Sequence, residues 1–179
     1  MITELTRMWL TRSTKPFLFK NEYDQELPFS DCDGLGLYVH IPFCRSICSF
    51  CPYCKTLYSE EACSRYIDAL IREIHLAGSQ IPGKKTVTSL YFGGGTPALA
   101  ADRIKEIIDA IQEHFIITQG IGIELHPENV TPRTLHILKE AGITKLSIGI
   151  QSFQEKFQKL LGRTGADMDP LKAALSQVP

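Results

Sequence analysis

Apolar and polar positions switch period repeatedly along this chain. From Leu35 to Ile41 they alternate as in a strand, punctuated by Gly34 and Pro42, with Tyr38 and His40 on one face and Val39 and Ile41 on the other. Ser59 reads as a helix N-cap, with Glu60 and Glu61 complementing the dipole of the first turn. Tyr66, Ile67, Leu70, Ile71 and Ile74 then recur at helical spacing, and Gly78 is expected to close the helix. Val87 to Phe92 is a second buried strand, and Ile104, Ile107, Ile108, Ile111 and Phe115 line a second helix. Ile121 to Leu125 is the third strand. Thr131-Pro132 opens a third helix, with Leu135, Leu138 and Ala141 on its inner stripe and Gly142 at its end. Lys145 to Ile150 is the fourth strand, Phe153, Phe157, Leu160 and Leu161 mark another helix, and a last helical piece covers Pro170 to Leu175.

These are four βα units whose strands are too apolar to have a solvated face, a pattern that predicts a parallel α/β sheet. Residues 1–33 fit no such unit: Lys15-Pro16 and Leu27-Pro28 interrupt anything longer than a short helix around Leu5, Met8 and Trp9. They are expected to form an N-terminal arm packed on the outside of a core at 34–179.

With 179 residues and 44% hydrophobic content, the chain has the makeup of one packed domain. A net charge of −1 gives no footprint for nucleic acid or an anionic membrane. Met1 to Trp9 carries Glu4 and Arg7 and lacks an apolar core of signal-peptide length, and no run approaches the roughly 18 apolar residues of a membrane span. A soluble, cytoplasmic protein is expected. Six cysteines in such a chain suggest metal binding before disulfides.

The cysteines concentrate the chemistry. Cys44, Cys48 and Cys51 form a C-x3-C-x2-C run directly after the first strand, where active sites of βα folds lie. An odd set at this spacing cannot pair off as disulfides, and thiolate-only ligation favours an iron–sulfur cluster or zinc. Zinc held by Cys48, Cys51, Cys54 and His40 is the structural alternative for the same loop. Cys32 reads as an isolated thiol and Cys63 as an unligated helix residue. One unit later, Gly93-Gly94-Gly95-Thr96-Pro97 follows the second strand; on its own it signals only a tight turn. Glu124 and His126 share a face at the end of the third strand.

This cysteine spacing, set in Tyr38-x-His40-Ile41-Pro42-Phe43-Cys44, resembles the radical S-adenosylmethionine (SAM) enzymes, in particular the branch of oxygen-independent coproporphyrinogen III oxidase and its heme-chaperone relatives. The Gly-Gly-Gly-Thr-Pro run matches that branch's SAM-binding glycine motif. Ser147-Ile148-Gly149-Ile150-Gln151-Ser152-Phe153 and Leu160-Leu161-Gly162-Arg163 match a further segment. The resemblance implies a partial (βα) TIM-like barrel with its first four units present, and a [4Fe–4S] cluster on Cys44, Cys48 and Cys51 with one iron left for SAM. It also implies SAM contacts from Tyr38, Phe50, Gly93, Gly94, Gly95, Thr96, Glu124, Gln151 and Arg163. By the same likeness, reductive cleavage of SAM yields a 5′-deoxyadenosyl radical that removes hydrogen from a substrate, a tetrapyrrole in this branch. An electron donor such as flavodoxin or ferredoxin serves the cluster.

Two positions depart from the branch. Tyr53 stands where the enteric-type oxidases carry a further cysteine, the extra thiol falling one place later at Cys54, and His126 replaces the Asn or Asp of Glu-x-Asn/Asp-Pro. An oxidase, a heme-binding chaperone and a radical SAM methyltransferase all fit these motifs. Against a full barrel of about 250 residues and the branch's six-unit core, the chain holds about two-thirds of the core and is expected to be a fragment or a short member. An open sheet edge is then expected to favour self-association.

Overall fold

Thr6, residues 32–162 and residues 168–176 are described in this computed structural model. Most of the expected arm, including its short helix, and Arg163 lie outside the described residues.

The first strand forms as its alternation predicts. In β1 (Leu35–Ile41), Val39 and Ile41 are buried while Tyr38 faces the other way and is 59% exposed. Two two-residue strands follow, β2 (Phe43–Cys44) and β3 (Thr56–Leu57), too short to leave a periodic signal. The helix α1 (Glu60–Ser79) starts where expected, the Ser59 hydroxyl accepting from Ala62 N–H. It does not end at Gly78. The helix runs on through that residue to a cap at Gln80, and Gly78 is buried against α2, where an added Cβ would lie 2.2 Å from His114 Cγ. A close helix crossing, not a chain reversal, requires glycine there.

β4 (Lys85–Gly94) leads through a 3₁₀ turn (Pro97–Ala100) into α2 (Ala101–His114). Phe115 is not the last apolar position of that helix; its backbone is extended and it opens β5 (Phe115–Ile117), which pairs with Lys85–Val87. β6 (Ile121–Leu125) pairs with β4 further along, at Leu90–Phe92. A second 3₁₀ turn (Pro127–Asn129) precedes α3 (Pro132–Glu140), whose Thr131 cap accepts from Thr134 N–H. β7 covers Ile143–Ile148, starting two residues earlier than its apolar run implies because Gly142, at φ 93°, turns the chain straight out of α3. α4 (Glu155–Leu160) and α5 (Met168–Leu175) complete the described chain.

The sheet order is β1-β4-β6-β7 with β5 beside the start of β4, and every pairing is parallel. The strands therefore end together at one edge. Ile41, Leu90, Phe92 and Ile123 fill one face of the sheet, packed with Ile67 of α1, Ile104, Ile107 and Ile111 of α2 and Leu138 of α3. The other face corrects the expectation of strands with no solvated side. Tyr38 is exposed there, and β7 is exposed on both faces from Thr144 to Ser147. Of the residues expected to mark the helix after β7, Phe153 precedes α4, and Phe153, Phe157 and Leu160 are exposed. This is an α/β barrel arc whose inner face stays open among the described residues. Among the described residues, no helix is long and apolar enough to cross a membrane.

Candidate functional site

The cysteine loop is tied down at its base by backbone. Thr56 N–H donates to Pro42 C=O at 2.8 Å and Tyr58 N–H to Cys44 C=O at 2.9 Å, so β2 and β3 close the loop that carries Cys48 and Cys51. Inside it, Cys51 N–H reaches Cys48 C=O at 3.3 Å, and the Lys55 ammonium donates to Cys51 C=O and, at 3.3 Å, to Tyr53 C=O. His40 supports it from β1, its Nε2 lying 3.0 Å from Cys54 C=O and its Nδ1 3.4 Å from the Tyr38 hydroxyl. A carbonyl only accepts, so Nε2 carries the proton and Nδ1 accepts from Tyr38. Burial, and then the charge of Glu124, push the Tyr38 phenol up, which keeps it a donor.

The glycine loop docks on this base. Gly95 N–H donates to Ile41 C=O at 2.9 Å and Thr96 N–H to Phe43 C=O at 2.7 Å. A Cβ on Gly95 would stand 2.5 Å from Phe43 O and 2.8 Å from Cys44 Sγ, and one on Gly94, at φ 123°, 2.7 Å from Ile41 O. Only glycine allows this approach. The Thr96 side chain, 7% exposed, bonds the Cys44 sulfur. Burial pushes the Cys44 thiol up; Thr96 opposes that, the neighbouring Cys51 and Cys48 add to it, and Lys55 opposes it. Gathering these thiolates is unfavourable without a cationic centre to offset them, which is what an iron–sulfur cluster is.

Together these segments wall an open cavity of about 240 Å³ at the C-terminal edge of the sheet. Cys44, Cys48, Cys51, Phe50, Gly94, Gly95, Thr96, Glu124 and Gln151 all line it. Tyr38 and Gly93 do not. They sit below, on the inner face, where the Tyr38 ring lies over Gly93 and stacks 6.4 Å from Tyr91, which in turn lies over Gly122. Tyr91 OH points to Glu124 Oε1 at 3.5 Å. Gln151 is the one non-glycine residue with positive φ (63°) among the described residues, in a three-residue turn closed by Ser152 N–H to Ile150 C=O at 2.8 Å. Such strain collects at functional positions.

His126 has a structural duty as well as a place in the cavity wall: its Nδ1 accepts Glu128 N–H at 3.3 Å and caps the turn at Pro127. Arg45, Ser46, Lys55, Glu128, Asn129 and Ser147 also line the cavity, unforeseen from sequence. Lys55 offered only the faint signal of a cation inside the cysteine loop.

Cys44, Cys48 and Cys51, none of them in a disulfide, fit a cluster better than a lone zinc. A zinc ion holds each sulfur at about 2.3 Å and so draws them to within about 4 Å of one another. Among the described residues, no three of the cysteine sulfurs all lie within 4.8 Å of one another. The four-ligand zinc alternative also needs His40, whose Nε2 is committed to Cys54 C=O.

Residues 38–176 match the model of the radical SAM superfamily. Over 132 residues the chain is 39% identical to anaerobilin synthase of Escherichia coli O157:H7, covering 72% of this chain and 30% of that protein. It is 34% identical over 135 residues to oxygen-independent coproporphyrinogen III oxidase of Paracoccus denitrificans (73% and 30%), and 32% identical over 138 residues to heme chaperone HemW of Bacillus subtilis (74% and 36%). The solved coproporphyrinogen III oxidase of Escherichia coli superimposes with a TM-score of 0.73 at 32% identity, covering 80% of this chain and 34% of that one. The chain thus spans about a third of the length of the curated relatives it matches. With a family match over most of its length and relatives above 30% identity across nearly three quarters of it, the chain belongs to the radical SAM superfamily.

Proposed function

We propose that Cys44, Cys48 and Cys51 hold a [4Fe–4S] cluster whose fourth iron takes the amino and carboxylate groups of SAM, and that the chain cleaves SAM reductively. The observation that carries this is the glycine loop seated against Cys44 in the cavity that Cys48 and Cys51 also line. When bound, the cluster supplies the single electron that splits SAM into methionine and a 5′-deoxyadenosyl radical. The residues around it bind and orient. Bare backbone at Gly94 and Gly95 admits the polar methionine end, and Thr96 fixes the Cys44 sulfur. Glu124, an acceptor, suits the two ribose hydroxyls across the cavity. Phe50 and Gln151 contribute apolar surface and an amide to the same wall. Tyr38 and Gly93 act from below, by setting the height of the floor.

The test is anaerobic cluster reconstitution followed by SAM and a reductant, with 5′-deoxyadenosine as the product measured. Replacing Cys44, Cys48 or Cys51 by Ala abolishes both cluster and product. Cys54→Ala and Cys63→Ala spare them. Retention of iron, sulfide and product in Cys44→Ala refutes the ligand assignment.

For the substrate we propose a porphyrinogen whose propionates undergo oxidative decarboxylation to vinyls, with an electron donor such as flavodoxin or ferredoxin. Tyr53, at the cavity where the oxidase pattern has a thiol, favours a second reading, a heme-binding chaperone. Vinyl formation from coproporphyrinogen supports the first, and tight hemin uptake without turnover the second.

A further inference from the structure

The helices on the outer face carry a second group of ligating side chains, independent of the cysteine cavity. His75 lies in the last turns of α1, and Glu113 and His114 close α2. His75 Nδ1 is 3.0 Å from His114 Nε2 and 3.7 Å from Glu113 Oε2, and the three ligand atoms all lie within 4.8 Å of one another. The arrangement is built. Gly78 leaves the space that seats the His114 ring, and the two imidazoles meet edge to face at 5.2 Å.

We propose that His75, Glu113 and His114 form a binding site for a divalent cation of the zinc class, stapling α1 to α2. Two imidazole nitrogens and a carboxylate oxygen suit zinc, copper or nickel. Zinc at about 2.0–2.1 Å from each atom sets neighbouring ligands about 3.3 Å apart in a tetrahedron, so the 3.0 Å and 3.7 Å distances from His75 need adjustment by a few tenths of an ångström, and the exposed Glu113 side chain can rotate to close the third. Water completes the fourth position. Both helices end here, and the partial negative charge of helix C-termini favours a cation, although Lys84 already donates to Gln112 C=O at 2.7 Å. Because the helices run back against parallel strands, the site sits at the opposite end of the sheet from the cysteines. Its role is therefore to stabilise the helix pair. The rival account is a neutral imidazole pair, one nitrogen protonated and bonded to the other.

The test uses the full chain with its cysteine cluster reconstituted and loosely bound metal removed by chelator. Zn²⁺ is titrated in competition with a chromophoric chelator, and Co²⁺ serves as the spectroscopic probe. One equivalent of Zn²⁺ is expected, with a Co²⁺ spectrum of nitrogen and oxygen ligation lacking thiolate charge-transfer bands, and a Zn²⁺-dependent rise in melting temperature. His75→Ala lowers affinity on the order of 100-fold and Glu113→Gln, at a largely exposed side chain, about tenfold, with circular dichroism checking that each variant folds. Absence of saturable Zn²⁺ binding, unchanged affinity in both variants, or a thiolate-dominated Co²⁺ spectrum would each overturn the site. The Co²⁺ signature separates this outcome from any failure of the cysteine assignment.

Discussion

Gly95→Ala is the sharpest probe of the way the glycine loop meets the cysteine strand. The new methyl carbon would stand 2.5 Å from Phe43 O, 2.8 Å from Phe43 C and 2.8 Å from Cys44 Sγ, so two of its three neighbours are backbone that cannot rotate away. Relief to an ordinary 3.4 Å contact requires the two segments to part by about 0.9 Å. That motion stretches the Thr96 N–H to Phe43 C=O bond from 2.7 Å to about 3.6 Å, beyond bonding range. A lost backbone hydrogen bond costs about 1 kcal/mol and overpacking about 1–3 kcal/mol, giving a loss of about 2–4 kcal/mol. In a domain of this size the melting temperature falls by about 5–15 °C. The assay is urea and thermal unfolding of cluster-free protein, followed by iron and sulfide content after reconstitution. Gly36→Ala is the control, since a Cβ there meets nothing within 4 Å. If Gly95→Ala unfolds within about 0.5 kcal/mol of the parent and takes up a full cluster, the close approach is not what holds the site.

Alkaline pH should destabilise the cluster-free chain, because burial raises the thiol of Cys63 and the phenols of Tyr58 and Tyr66. The unfolded chain gives up these protons from about pH 8.5 for the thiol and about pH 10 for the phenols while the folded chain keeps them, so unfolding free energy falls as pH rises. Urea midpoints at pH 7.5 and 10 check this, and a flat or rising midpoint contradicts it. Tyr66→Phe removes the 2.7 Å bond to His40 C=O and should cost about 1 kcal/mol by urea unfolding; no measurable loss means water replaces the hydroxyl without penalty. In timed iodoacetamide labelling with peptide mapping, exposed Cys32 and Cys54 should react first and buried Cys63 only when urea unfolds the chain. Labelling of Cys63 at the rate of Cys54 would show that α1 opens locally.

The strands and helices were legible wherever local pattern and tertiary packing agree. Val39 and Ile41 of β1, the Ser59 cap and the Thr131-Pro132 start all reflect local geometry, and all stand in the structure. Gly78 misled because a glycine that ends a helix and one that lets a neighbouring ring approach look identical in one dimension. Phe115 misled because its apolar side chain suits the periodicity of α2 while its backbone has already turned to pair with Lys85. The cysteines and the glycine loop were readable as motifs. Their mutual fit was not, since it depends on Gly95 meeting Phe43, far away along the chain. Nor could any periodicity announce the meeting of His75 with His114, which arises only from the packing of α1 on α2.

The anchoring of the cysteine loop also bears on how such a site can change. Both stitches at its neck, Thr56 to Pro42 and Tyr58 to Cys44, join main-chain groups, so almost any side chains at those places would preserve them. The intervening segment behaves as an exchangeable cassette. Its residues other than Cys48 and Cys51 can be rewritten, Tyr53 and Cys54 included, while the barrel arc keeps its shape, and new reactivity can be grafted onto an old chassis without refolding it.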